Sequence, residues 1–387
     1  MISKLRLTDF RNFKSRELSF SPETCVIIGP NASGKTNILE GMFVLAMGKS
    51  FRVRIEEEMI NYDAGIARIS GRIMNYEQRI MAKNGINTNK AYGTKHTALE
   101  VVLTRGILDV GNSRSEKVAR KKLFVNGVSK RLIDFAGNFK AVLFGPWDLE
   151  LVTASPSRRR NFLDTVLSQV DREYRRASLS YEKGLRQRNK ILWNLRENPT
   201  TASGRPQLMF WDRLLIKNGD YISSARQNFI DFTNSTPPLD NQSFSLEYDK
   251  SAISEVRLEQ YAEEEVAAAT TLVGPHRDDF IFKLKNLKTE KLKKERELAR
   301  FGSRGEQRMG VLWLKLAELA YIEDQIRLHQ GSGEARPTLL LDDIFSELDH
   351  EHREIVMQVS RGRQTIITTA DPHFVEGFEK VEKITLK

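Results

Sequence analysis

The feature that most constrains this chain is a nucleotide site written in two pieces at opposite ends of the sequence. Near the N-terminus, Gly29-Pro30-Asn31-Ala32-Ser33-Gly34-Lys35-Thr36 matches the phosphate-loop pattern G-x-x-x-x-G-K-[ST]. The apolar run Cys25-Val26-Ile27-Ile28 ahead of it predicts a buried strand, and Asn37 to Leu45 behind it predicts a helix. In that setting the glycines let the backbone wrap a phosphate, and the helix N-terminus favours its charge. Lys35 would add a point charge on the β- and γ-phosphates of ATP, and the Thr36 hydroxyl would ligate Mg2+. Near the C-terminus, Leu339-Leu340-Leu341-Asp342-Asp343 reads as a central strand ending in two carboxylates. Asp342 would hold Mg2+ through water, and Asp343 would orient or deprotonate the attacking water. Taken alone, Asp-Asp after a strand is equally a solvated turn or a helix cap. A chain that joins these halves must fold as an α/β protein whose two ends share one sheet.

The 387 residues leave room for two or more domains. A formal net charge of +10 and an isoelectric point near 9.5 point to a polyanionic partner. The single cysteine, Cys25, excludes an internal disulfide and reads as a small buried hydrophobe. One cysteine and six histidines give no zinc-like cluster. No stretch reaches the roughly 20 apolar residues of a membrane span, and the N-terminus lacks the apolar core of a signal peptide. The expected setting is therefore soluble and cytoplasmic.

Residues 1 to 20 read as a hairpin around Asp9-Phe10-Arg11-Asn12-Phe13, and 66 to 145 as strand-rich, with a turn at Asn126-Gly127. The polar stretch Asn84 to Lys95 reads as a mobile loop. At Ser155-Pro156 a cap and a first helical residue open a mostly helical stretch to about 235, interrupted near Pro199 to Pro206. The strand pattern returns at Phe244 to Tyr248 and Phe280 to Phe282, a helix is expected over 304–329, and strands follow around the two aspartates and at Thr365 to Thr369. The expected division is 1–154 and 271–387 for an ATPase lobe, with 155–270 as an inserted helical lobe. The heptad pattern does not persist long enough for a coiled-coil arm.

A third element precedes the 304 helix: Ser303-Arg304-Gly305-Glu306-Gln307. Ser303 and Glu306 have the spacing of a capping box. The same turn can offer N–H groups and a hydroxyl to phosphate. The order of phosphate loop, insertion, S-x-G-E-Q, Asp-Asp and Ser346-Glu347-Leu348-Asp349 is that of an ABC-type ATPase head, in which the signature turn caps a γ-phosphate bound by a second protomer.

Together with Gly48-Lys49-Ser50-Phe51-Arg52, Ser155-Pro156-Ser157-Arg158-Arg159-Arg160-Asn161-Phe162-Leu163-Asp164 and Gly274-Pro275-His276-Arg277-Asp278-Asp279, these segments resemble the RecF family of bacterial recombination mediators over nearly the whole chain. The resemblance implies an ABC-type lobe with a helical second lobe, a weak DNA-stimulated ATPase switch and an ATP-dependent homodimer. It implies binding to double-stranded and gapped DNA, and work with RecR and RecO so that RecA loads in repair and replication restart. Carried over by position, Lys35, Thr36, Asp342 and Asp343 serve ATP and Mg2+. Ser303, Gly305 and Glu306 serve the partner's γ-phosphate, and Arg11 and Asn12 lie near the nucleotide. Asp343 stands where transporters carry Glu, so slow hydrolysis is expected. Thr368, Thr369 or Asp371 is expected to cover the switch position. The alternative function is a structural-maintenance-like head that tethers DNA, against which the missing coiled coil argues.

Arg158, Arg159 and Arg160 sit at a predicted helix N-terminus, where cations are disfavoured. An anion would relieve them, either DNA phosphate or the nucleotide site; three solvated arginines are the plain alternative. With Arg175 and Arg176 they form the expected DNA-backbone surface, without base reading. The basic segment Lys283 to Arg300 is a second candidate or a solvated loop. His276 and Arg277 follow a Gly-Pro turn and fit either a salt-bridged structural turn or a role near the nucleotide.

Overall fold

The computed structural model describes residues 1–386 except 81–89, 110–114, 199–203, 240–241, 287–294, 331–335 and 376–380. It divides into two compact units: Met1–Asp148 with Ile322–Lys387, and Leu149–Tyr321. The second unit starts six residues before the expected boundary of 155 and runs well past 270, so the signature turn and most of its helix belong to it rather than to the ATPase lobe.

The first unit is built on two large sheets with helix Lys35–Met47 packed between them. Its parallel sheet has the order Ala141–Phe144, Thr338–Asp342, Thr365–Thr369, Thr24–Ile28 and Val381–Thr385. Both ends of the chain thus meet in one sheet, as the split site requires. The first four are buried along nearly their whole length, the pattern of a covered parallel sheet, whereas Val381–Thr385 at the edge exposes Glu382 and Lys383. The second sheet is antiparallel, in the order Phe13–Ser19, Ile2–Phe10, Ile66–Ile80, Lys90–Thr104, Lys121–Val125 and Val128–Lys130. Helix Lys35–Met47 is buried nearly all round, which explains its lack of a polar face. One core joins Leu7, Ile69 and Val101 to Met42 and Leu45 of the helix and to Ile27, Leu340 and Ile366. Close approach is set by glycine: a Cβ on Gly71 would lie 2.4 Å from Leu45 Cδ1.

The second unit packs helices Pro156–Val170, Arg172–Glu197 and Gly204–Asn234 with a three-stranded sheet, Gln242–Asp249, Asp279–Asn286 and Arg296–Glu297. The strand at 280–282 therefore extends this small sheet and not the ATPase sheet. Its core includes Phe162, Tyr174, Phe229 and Phe280, with Phe162 and Phe229 ring centroids 6.0 Å apart.

Two loop expectations change. The mobile loop at Asn84 to Lys95 gives way at Lys90 to a strand, and its first part lies outside the described residues. Lys283 and Lys285 lie on a paired strand, Lys283 bonding Glu247 at 2.8 Å, so the basic segment is not simply a solvated loop; 287–294 lie outside the described residues. Among the described residues, no helix is long and apolar enough to cross a membrane, and no cluster of metal-ligating side chains occurs.

Candidate functional site

The phosphate loop leaves its strand at Ile28 and enters the helix at Lys35. Two of its residues are left-handed, Ala32 at φ 68° and Gly34 at φ 99°. That curl turns the loop N–H groups toward one concavity. Gly34 has no alternative: a Cβ there would meet the Phe13 ring at 2.5 Å and Asn12 at 2.8 Å. Lys35 folds back across the loop, donating to the carbonyls of Gly29 at 2.7 Å and Pro30 at 2.9 Å. Ser33 Oγ is buried with no hydrogen-bond partner among the described residues. An orphaned hydroxyl inside a curled loop beside an ammonium suits a phosphate oxygen.

The second half of the site stands across from it. Thr36 Oγ1 donates to Asp342 Oδ2 at 2.8 Å, although the two residues are 306 positions apart. Asp342 is 4 % exposed and also accepts from Thr368 Oγ1 at 2.6 Å. A hydroxyl and a carboxylate converging on one point are the hard oxygen donors that Mg2+ takes. Burial pushes the Asp342 carboxyl above the usual range, with the Thr368 and Thr36 hydroxyls pulling it back. Asp343 ends the strand in the left-handed region at φ 50°, a conformation aspartate tolerates. Its N–H donates to the Thr368 carbonyl at 3.0 Å. Burial and the neighbouring Asp342 raise its carboxyl. A half-buried carboxylate raised in this way is a better proton acceptor than a solvated one. Of the three candidates for the switch position, Thr368 holds Asp342, while Thr369 and Asp371 bond each other.

Arg11 and Asn12 form the two-residue turn closed by the Phe10–Phe13 pair, and they part company. Asn12 lies against the phosphate loop, with Nδ2 3.4 Å from the Ser33 carbonyl and Oδ1 accepting from Asn37 at 2.8 Å. Arg11 faces away. Its Nε and Nη2 grip the fully buried Glu40 at 2.8 and 2.7 Å, and Nη1 donates to the Glu58 carbonyl. Arg11 braces the phosphate-loop helix. Glu40 also accepts from Ser50 Oγ at 2.5 Å and pairs with Arg52 at 3.7 Å. Sequence reading missed Glu40, because a glutamate in a predicted helix carries no local signal of burial.

The signature turn realises its capping box. Glu306 Oε2 accepts from the Ser303 N–H at 2.7 Å, and Ser303 Oγ accepts from the Glu306 N–H at 3.2 Å. Glu306 also pairs with Arg296, so it is engaged within its own lobe. Ser303 and Gly305 are exposed, and open space surrounds Gly305 where a side chain would be. A capped turn of this kind still leaves its outer surface clear for an anion.

The arginine run is different. Arg159 is held by Asp279 through two bonds of 2.6 and 2.7 Å, and also donates to the Leu151 and Ala154 carbonyls. Arg160 donates to the Asp278 carbonyl at 2.8 Å, and Arg158 alone is exposed, reaching Glu150 at 2.9 Å. The anion that offsets the helix N-terminus is thus Asp279, and Arg159 leaves the DNA-facing set. Ser155 supplies the cap position, but its hydroxyl bonds Ser157 instead of an amide. Arg175 donates to the Ser168 carbonyl, and Arg176 grips Glu173 and Asn218.

Asp278 is fully buried and meets Arg226 at 2.9 Å. The same guanidinium reaches Asp164 at 2.9 Å, the Pro275 carbonyl at 2.7 Å and Tyr174 Oη at 3.2 Å. Arg226 therefore ties the S-P-S-R-R-R-x-F-L-D segment to G-P-H-R-D-D. His276 sits between the Tyr181 hydroxyl and the Thr271 carbonyl, and burial lowers its pKa to about 4. The expected salt bridge of this turn to Asp278 or Asp279 is not made: those carboxylates pair with Arg226 and Arg159, Arg277 donates to the Thr271 carbonyl, and His276 packs as a neutral ring.

Comparison with known proteins agrees with this geometry. The profile of the RecF/RecN/SMC N terminal domain family matches residues 1–387. The DNA replication and repair protein RecF of Herpetosiphon aurantiacus is 33% identical, covering 96% of this chain and 93% of that protein. The RecF protein of an Exiguobacterium species is 34% identical over 96% and 92%. Among solved structures, one described as the recombination mediator protein RecF with ATPrS in the RecFOR pathway matches with a TM-score of 0.78 and 27% identity, covering 99% of this chain and 96% of that one. A companion described as RecF-ATP in the same pathway matches equally, at 26% identity.

Proposed function

The chain belongs to the RecF family of DNA replication and repair proteins, an ABC-type ATPase family, and from that premise we propose that it is an ATP-dependent recombination mediator that binds double-stranded DNA at single-strand gaps. With RecR and RecO it promotes RecA loading in the cytoplasm. The observation that carries this reading is the Thr36–Asp342 contact, which brings both halves of the nucleotide site to one point.

The phosphate loop and Lys35 bind the β- and γ-phosphates of ATP, with Ser33 Oγ as a further donor. Thr36 and Asp342 would hold Mg2+, which would supply positive charge to neutralise the phosphates. Asp343 orients the attacking water and accepts its proton. Its short side chain keeps turnover slow, so that ATP acts as a switch more than as fuel. Ser303 and the N–H groups near Gly305 cap the γ-phosphate of a second copy, and ATP thereby closes a homodimer. DNA stimulates hydrolysis through phosphate-backbone contacts. Arg158 and the exposed cations Arg172, Lys183 and Lys190 supply these contacts, with Arg175 and Arg176 at their edge.

The test is the molecular mass of Asp343→Asn by light scattering, with and without Mg-ATP and a short gapped duplex. A monomer that doubles with ATP and then retains DNA is expected. A mass indifferent to ATP would reduce the signature turn to a helix cap and overturn the trans-site reading.

A further inference from the structure

The second unit carries an open groove of about 660 Å³ between helices Arg172–Glu197 and Gly204–Asn234 that neither the nucleotide site nor the arginine network uses. Its lining is apolar at Phe210, Met209 and Leu214 and cationic at Arg176, Arg213 and Lys217. Phe210 is 62% exposed and Met209 57% exposed, a costly display for large apolar side chains in water. The two properties alternate along one helix. Phe210 and Leu214 are four residues apart on one stripe, and Met209, Arg213 and Lys217 repeat at the same spacing on the next. The volume lies in the range of clefts that hold a ligand.

We propose that this groove docks an acidic, amphipathic segment of a partner protein, whose apolar side chains enter between the helices while its carboxylates meet Arg213 and Lys217. Helix-in-groove docking needs an apolar lining to receive anchors at helical spacing, and Met209, Phe210 and Leu214 supply it. Charge complementarity sets the sign of the flanks. In the free protein Glu173 grips Arg176 through two bonds of 2.8 and 2.9 Å, which leaves Arg213 and Lys217, both exposed, as the cations facing the ligand. Nucleic acid fits less well. A duplex buries little apolar side chain and would leave Phe210 and Met209 in water. The inference is independent of ATP: it concerns a surface in the unit that lacks the phosphate loop.

The probe is a labelled helical peptide of about 16 residues with Leu and Phe at i, i+4 and i+7 and Glu on its flanks. A second peptide replaces every Glu by Lys. Anisotropy with the full chain is expected to show saturable binding of the Glu peptide only. Phe210→Asp should weaken it at least tenfold. Arg213→Glu with Lys217→Glu should weaken it similarly and let the Lys peptide bind instead. Circular dichroism and the unchanged ATPase rate of each variant serve as the check on folding. Equal binding of the Glu peptide to Phe210→Asp, no binding at all, or its displacement by a single-stranded oligonucleotide that itself needs Phe210 would each overturn the proposal. So would a concentration-dependent dimer in the absence of ATP that Phe210→Asp abolishes, because the occupant would then be a second copy.

Discussion

The phosphate loop and the arginine run look alike in sequence: each is a short, highly specific string at a helix N-terminus. In the structure they behave as opposites. The phosphate loop curls around a space, orphans the Ser33 hydroxyl and folds Lys35 over its rim. The arginine run fills its own space, because Asp279, Glu150 and three backbone carbonyls take up its donors. A helix N-terminus with an unmet anion need is a site, whereas one whose need is met from within is architecture.

That contrast can be broken most severely at Arg226. Replacing it with alanine leaves Asp164 and the buried Asp278 without their cation, and removing one partner of such a network costs about 3–5 kcal/mol. Urea unfolding should show the loss. Retention of wild-type stability would mean the network is not the brace described here. Asp343→Asn should do the reverse: leave the unfolding curve in place and lower turnover at least about a hundredfold, the scale of a lost general base, as read by phosphate release with ATP binding intact.

A finer cut compares neighbours. Arg159→Ala should destabilise the chain by about 2 kcal/mol, as expected for a mostly buried, bidentate pair. Arg158→Ala should change stability by less than about 0.5 kcal/mol. If instead Arg159→Ala spares stability but weakens DNA binding with a reduced salt slope, the run faces DNA after all. The smallest effect is a pH effect. His276 titrates at about 4 in the fold, against 6.5 when unfolded. The unfolded chain therefore takes up this proton first as pH falls, and stability drops by about 1 kcal/mol between pH 6.5 and 5.5. His276→Gln should flatten that window, and an unchanged pH profile would assign the loss to another group.

The same comparison shows where sequence reading reached and where it stopped. Strand, loop and helix at 24–47 and the strand before Asp342 were legible because each is local: an apolar run, a glycine pattern, a periodic face. The capping box at Ser303 and Glu306 was legible for the same reason, since its partners lie three residues apart. The bracing role of Arg11 was not legible because its partner Glu40 is 29 positions away, and no property of either residue alone announces the pairing. Arg226 was missed altogether. It sits in a long helix among other cations, and only the fold brings Asp164, Tyr174 and Asp278 around it. The domain boundary slipped for a related reason. Composition changes at Ser155, but the core of the second unit recruits the strand Asp279–Asn286 and the first turns of the helix Arg304–Gln330 by packing.

By itself, the sequence determined the elements and the identity of the phosphate-binding half-sites, because backbone conformation and helix capping are decided within a few residues. It also determined the overall positive charge. Tertiary structure alone decided which cations remain available. Desolvation and ion pairing act over distance in space without regard to distance along the chain, so burial turned Arg11, Arg159 and Arg226 into internal braces. Packing likewise left Arg158, Arg213 and Lys217 at the surface.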